Sequence, residues 1–443
     1  MKHTLLPLTE FTARREKLFA QMTDNSVALF IANNEVTRSN DTEYLFCQDK
    51  DFYYLTGFNE PDAILMMVKG EQNKVVLFCR AKDPFQEVWH GRRVGPENAK
   101  KEYGFDESYA LEEADAQITE SLGNKNTLYY LQGKSERHEQ QVYQWRNSVI
   151  AKSRQGIAAP EILVNVAPIV HDMRLMKSPS ELALMRTVNH ISGKAHTRAM
   201  EKTQARAFEY QIEAELLHEF ARHGARHAAY NSIVAGGDNA NILHYNDNCD
   251  ILNDGDLLLI DAGGELAGYA ADITRTFPIS GKFTEPQKAI YQLVLDAQQA
   301  AIQAIKPGTD LALLNQLVCE KLTDGLLTLG ILEGEKTALL ESKACKKYFI
   351  HGLGHWLGLD VHDVGDYHVN ESREQKRTFE PGMVMTIEPG LYFPSDDENI
   401  EEKWRGIAVR IEDNILVTDQ GHENLTTNAP KSIEEIETLM AGN

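Results

Sequence analysis

Apolar and polar positions recur along this chain with two different periods, and the change from one to the other divides it. From Phe11 to Met22 the spacing is helical and predicts an amphipathic helix. Short apolar runs follow at Val27–Ile31, Ala63–Val68, Val75–Phe78 and Leu128–Leu131, parted by polar helical stretches, so residues 1–175 read as a smaller α/β domain. Ser178-Pro179-Ser180-Glu181 is a helix start, with Ser178 as N-cap, Pro179 in the first turn and Glu181 closing a capping box. It opens a second domain expected over 176–443. Its first helix carries Leu182, Met185, Val188 and Ile191 on one face. A further helix is expected from Phe208 to Arg222, ending at Gly224, with strands beyond it.

Those strands carry carboxylates. Leu257 to Ile260 is an apolar run ending in Asp261, and Gly263, Gly264 and Gly268 form the turn after it. A return strand is predicted from Tyr269 to Phe277, in which Asp272 and Thr274 share a face. Met383 to Ile387 ends in Glu388. From Ile407 onward the pattern alternates, with Ile407, Val409 and Ile411 on one face and Ala408, Arg410 and Glu412 on the other. A carboxylate closing an apolar run is costly to bury unpaired, so it needs a cation. For each strand alone that cation could be an arginine or lysine.

Residues 351–363 change the picture, because His351, His355 and His362 are threaded there through glycines. Glycine admits close backbone approach, and neutral imidazole serves as metal ligand or proton carrier. Asp261, Asp272, His355, Glu388 and Glu412 together make a donor set for two divalent metal ions. A water held between two such ions is a nucleophile at neutral pH, which points to a hydrolase. One nitrogen among oxygens favours Mn2+ over a closed tetrahedral zinc site.

Composition narrows the class further. A chain of 443 residues, 42% hydrophobic and 25% charged, suits a two-domain globular protein. A net charge of −21 argues against nucleic acid and anionic membrane and suits cationic partners such as peptide N-termini. The five scattered cysteines form no CxxC pair and suggest reduced thiols. Neither a signal peptide nor a membrane-length apolar run is seen, so a cytoplasmic location is expected.

The order Asp, Asp, His, Glu, Glu, each in its own local pattern, resembles the M24 "pita-bread" metallopeptidases. Arg38-Ser39-Asn40-Asp41-Thr42-Glu43-Tyr44, Phe52-Tyr53-Tyr54-Leu55-Thr56-Gly57-Phe58 and Trp89-His90-Gly91-Arg92-Arg93 resemble the N-terminal domain of the bacterial aminopeptidase P branch. Residues 351–363 resemble its histidine motif, and the likeness spans essentially the whole chain. It implies an α/β (α+β) fold: an N-terminal creatinase/aminopeptidase P-like α/β domain followed by a C-terminal pita-bread domain. It also implies release of the first residue from peptides with proline in second position, by a hydroxide bridging two metals. Prolidase, which cleaves Xaa-Pro dipeptides, is the alternative on the same scaffold.

Residue by residue, the resemblance assigns Asp261 to one ion, Asp272 and Glu412 to bridging positions, and His355 and Glu388 to the second ion. Glu388 carries the proton, while His362 and His351 act at the scissile carbonyl and its surroundings. His244 stands near the first substrate residues. His351, Arg410 and Tyr367 wall the proline pocket, and Trp89 closes the site from a neighbouring subunit of a homo-oligomer, a dimer or tetramer. Two departures are visible. Residues 368–377 are longer than the family segment, leaving Arg373 and Arg377 as alternatives for a peptide-holding arginine. Gly354 fills a variable slot and is expected to loosen its turn.

Overall fold

The computed structural model describes residues 5–369 and 372–442. Asn370 and Glu371 of the 368–377 segment, and the first four residues of the N-terminal stretch, lie outside the described residues. The chain separates into two compact units, Met1–Arg174 and Leu175–Asn443. Among the described residues no helix is long and apolar enough to cross a membrane.

The first unit is built on a six-stranded mixed sheet. Its strands lie in the order Glu107–Ala110, Lys74–Cys79, Ile64–Lys69, Ser26–Ile31, Thr127–Tyr130, Ile162–Asn165. Alternate residues Val27, Leu29, Ile64, Met66, Val76, Phe78 and Leu128 pack against Ile118 and Leu122 of one helix and Val142, Trp145 and Val149 of another. The intervening residues Ala28, Phe30, Leu65, Met67 and Leu77 are equally buried. A sheet covered on both faces gives continuous apolar runs, and this is why the strands show no alternation in the sequence. The first helix spans Leu8–Gln21, starting one turn earlier than its apolar spacing suggests.

In the second unit the predicted helix start forms as expected. Ser178 Oγ accepts from the Glu181 amide at 3.3 Å, and Glu181 returns a 2.8 Å bond to the Ser178 amide. The helix, Pro179–Lys202, buries Leu184, Met185, Val188 and Ile191, whereas Leu182 is only half-buried. Glu181 takes a buried position itself, because Tyr269 Oη donates to it at 2.8 Å.

The return strand predicted from Tyr269 to Phe277 is broken. Tyr269–Ala270 pairs with Gly264–Leu266, while Thr274–Pro278 pairs with Leu257–Asp261. The chain changes partner between them, and Asp272 occupies the gap. Gly263 makes this possible, since a Cβ there would lie 1.7 Å from the Ala271 carbonyl oxygen.

Two further strand pairs complete the frame. Val384–Ile387 pairs with Asp413–Thr418, and Gly390–Phe393 pairs with Ile407–Arg410. Both keep one register, Ile387 with Asp413 and Gly390 with Arg410. Glu388 therefore falls opposite Glu412, at the break between the two ladders.

Candidate metal centre

The acidic side chains of the cluster sit at or beside strand ends and breaks. Asp261 is the last residue of Leu257–Asp261, and Glu388 and Glu412 face each other across the ladder break. The histidine loop runs beside the Val384–Ile387 strand as an irregular partner. The Leu353 carbonyl accepts from the Glu388 amide at 2.8 Å, and the His355 carbonyl accepts from the Thr386 amide at 2.9 Å. A Cβ on Gly354 would sit 2.0 Å from the Thr386 carbonyl oxygen. Gly354 thus pins the turn against the strand and does not loosen it, because only hydrogen fits in the contact.

Asp272, His355 and Glu412 can bring one ligand atom each to within 4.8 Å of one another. His355 Nε2 stands 3.4 Å from Asp272 Oδ2 and 3.6 Å from Glu388 Oε1. Its Nδ1 donates to the Trp356 carbonyl at 2.9 Å, which orients the ring and leaves Nε2 facing the carboxylates. Thr274 Oγ1 donates to Glu412 Oε2 at 2.7 Å. Tyr230 Oη lies between Asp261 and Asp272, 2.5 Å from Asp261 Oδ1 and within hydrogen-bond reach of Asp272 Oδ1.

Protonation follows from this crowding. Burial pushes Asp261 upward, but Arg410, whose Nη2 donates to Asp261 Oδ2 at 2.7 Å, and the Tyr230 hydroxyl together hold the group below its usual range. Burial and the Asp261 charge raise Asp272. Burial, with the charge of Asp272, lifts Glu388 to about 7. Glu412 is driven well above the usual range by burial and by Asp272 and Glu388. Burial opposes charge on His355, yet its bond to Asp272 and the field of Glu388 raise it to about 9. Four carboxylates thus converge on one guanidinium and one imidazole. Like charges directly opposite one another on paired strands are destabilising, and divalent cations are what relieve them. The donor set fits such ions.

A second network walls the cleft. Arg410 Nη1 donates to Tyr392 Oη at 2.8 Å, Tyr392 lies 2.9 Å from His351 Nε2, and His351 Nδ1 is 2.7 Å from the Gly352 carbonyl. The proton count closes if Nδ1 carries the hydrogen and Nε2 accepts from the tyrosine. Burial, reinforced by Arg410, lowers His351 to about 3 and so keeps this ring neutral.

The five expected ligands line one cleft of about 480 Å3 together with His244, His351, His362 and Arg410. The His362 ring centroid is 4.3 Å from that of His355. Burial and the neighbouring His355 lower the His362 pKa. Tyr367 lines a neighbouring cavity that shares Gly352 and Gly354 with the cleft, and there it stacks on Trp356 and accepts from its amide at 3.1 Å. Trp89 belongs to the first unit, 71% exposed on the Pro84–His90 helix. Sequence reasoning missed Tyr230 and Tyr392. Tyr392 could have been reached by pairing strands, since its register partner Ala408 lies two residues from Arg410. Tyr230 sits outside any strand or helix and gives no periodic signal.

The profile of metallopeptidase family M24 matches residues 183–419, and that of the aminopeptidase P N-terminal domain matches residues 11–129. The chain belongs to the M24 metallopeptidases. Among curated relatives, it is 47% identical to the Xaa-Pro aminopeptidase of Haemophilus influenzae, covering 98% of both chains. It is 46% identical to that of Escherichia coli over 97% of each. Among solved structures, zinc-substituted E. coli aminopeptidase P in complex with product aligns at a TM-score of 0.96 with 46% identity, covering 99% of both chains.

Proposed function

We propose that this chain is an Xaa-Pro aminopeptidase, a metal-dependent hydrolase releasing the first residue of peptides whose second residue is proline. The observation that carries this reading is the full-length identity of 46–47% to Xaa-Pro aminopeptidases, combined with a carboxylate cluster that calls for cations. Asp261, Asp272, His355, Glu388 and Glu412 would hold two ions, and the oxygen-rich set favours Mn2+. Such ions supply a water ionised near neutrality and polarise the scissile carbonyl.

The chain's own groups do the rest. Glu388 accepts the nucleophile's proton and returns it to the leaving imide nitrogen. His362 donates to the oxygen on which negative charge develops. His244 positions the first residue. The Asp261–Arg410–Tyr392–His351 chain forms a rigid wall for the prolyl ring. A prolyl nitrogen has no N–H to satisfy and a ring of fixed shape, so such a wall accepts it where a flexible amide docks poorly. Trp89, exposed on its helix, would cover the site of a neighbouring subunit in a homo-oligomer.

The test pairs an Xaa-Pro-Yaa tripeptide with an Xaa-Pro dipeptide in Mn2+. Cleavage of the tripeptide is expected, and activity confined to the dipeptide overturns the reading in favour of a prolidase. Asp272→Ala and Glu388→Ala are expected to abolish turnover with an unchanged circular-dichroism spectrum. Trp89→Ala is expected to lower activity, and an unaffected variant rules out the shared site.

A further inference from the structure

Behind the two facing glutamates, on the side away from the cleft, lies a buried polar layer that the chemistry above does not use. At its centre is Gln298, 0% exposed on the Glu285–Gln303 helix. Its Nε2 lies 3.3 Å from the Ile387 carbonyl oxygen, 3.2 Å from the Ile411 carbonyl oxygen and 3.2 Å from Asp413 Oδ2. Ile387 immediately precedes Glu388, and Ile411 immediately precedes Glu412. Lys431 Nζ donates to Gln298 Oε1 at 2.9 Å, so the amide can be oriented only one way, oxygen to the lysine and N–H groups to the carbonyls.

The layer continues around Glu412. Arg275, also fully buried, donates from Nη1 to the Glu412 carbonyl at 2.6 Å and from Nη2 to Asp413 Oδ1 at 2.7 Å. Lys431 Nζ also donates to Asp413 Oδ2. Alternation along the strand sends Glu412 into the cleft and Asp413 into this layer.

We propose that Gln298 is a positioning residue for the metal centre: one amide clamps the carbonyls before Glu388 and Glu412 and fixes the separation of the two carboxylates. The proposal rests on the reading of those glutamates as ligands. Among the described residues the paired segments stop at Ile387 with Asp413 and resume at Gly390 with Arg410, and one long backbone bond, from the Ile411 amide to the Pro389 carbonyl at 3.4 Å, spans the interval between them. Gln298 bridges this interval from behind. Groups that orient metal ligands without touching the ion typically cost about 10- to 100-fold in metal affinity or activity when removed.

The test uses the full chain, stripped of metal and titrated with Mn2+ by calorimetry, with the Co2+ absorption spectrum as a second readout and tripeptide kinetics as a third. Wild type is expected to bind two ions. Gln298→Met is expected to weaken at least one of them about 10- to 100-fold, shift the Co2+ bands and lower kcat more than it raises KM. Gln287→Ala is the control. That glutamine is buried on the same helix and bonds the Gly255 carbonyl and the Thr284 amide, away from the glutamates, so its Mn2+ isotherm should match wild type. A Gln298→Met isotherm and Co2+ spectrum equal to wild type overturns the proposal, and so does equal weakening in Gln287→Ala. If Gln298→Met does not fold, Gln298→Glu decides: it keeps the shape but offers at most one donor to the two carbonyls, so it should shift the Co2+ bands the same way, and an unchanged spectrum refutes the clamp. Wild type that binds no ion refutes the metal centre itself, a result distinct from both.

Discussion

Burial and the charge of Asp272 raise both Glu388 and Glu412, so the buried carboxylates of this cluster cannot all stay ionised without help. Protons and metal ions compete for the same oxygens. Mn2+ binding to the stripped chain at pH 7 is therefore expected to release protons, seen as a buffer-dependent calorimetric enthalpy. Affinity should be higher at pH 8 than at pH 6, and pH-independent affinity would contradict the assignment. The wall of the cleft makes a second prediction. Tyr392→Phe removes the hydroxyl shared by Arg410 and His351, leaving a buried guanidinium one partner short. Bonds to charged groups contribute roughly 1.5–3 kcal/mol, so kcat/KM for an Xaa-Pro tripeptide should fall about 10- to 100-fold. Equal kinetics in the variant would remove Tyr392 from the site. The candidate ligands stood out in sequence because Asp261, Glu388 and Glu412 follow apolar runs, Asp272 interrupts one and His355 sits among glycines. Tyr392, Tyr230 and Gln298 did not, because their partners are fixed by strand register and helix packing, which one-dimensional periodicity does not carry.

The same limit shows in the elements. The helix start at Ser178 was readable because a capping box is local, and the strands of the first unit were readable as apolar runs. The break at Asp272 was not, since it depends on Gly263 meeting the Ala271 carbonyl across a turn. The Pro179–Lys202 helix is tied to that turn by His196, whose Nε2 lies 2.9 Å from the Ala262 carbonyl, one residue past Asp261. Burial lowers His196 to about 4 from 6.5. The folded state thus binds fewer protons than the unfolded chain between these values, and this contribution to stability is lost as pH falls through the window. The loss by pH 4 is on the order of 3 kcal/mol. Urea denaturation of wild type is expected to lose stability from pH 6.5 to 4 more steeply than His196→Gln, which keeps a donor without titrating. Parallel curves would contradict the buried neutral ring.

For the molecule as a whole, the candidate metal centre couples charge to stability. Glu388 is raised in the folded state to about 7 from 4.5. The stripped fold therefore binds more protons than the unfolded chain between these values, and its stability falls as pH rises through them. Ligand binding to the native state adds stability, so Mn2+ should raise Tm more at pH 8 than at pH 6. An equal rise at both would contradict the linkage. The boundary expected near Ser178 rests on a local signal, a capping box, which needs no geometry to be seen. The most direct test of the account follows release of the first residue from an Xaa-Pro-Yaa tripeptide as Mn2+ is added back to the stripped chain. No turnover is expected without metal, and activity should rise with occupancy to a plateau at two ions per chain. Full turnover by the stripped chain would contradict that expectation.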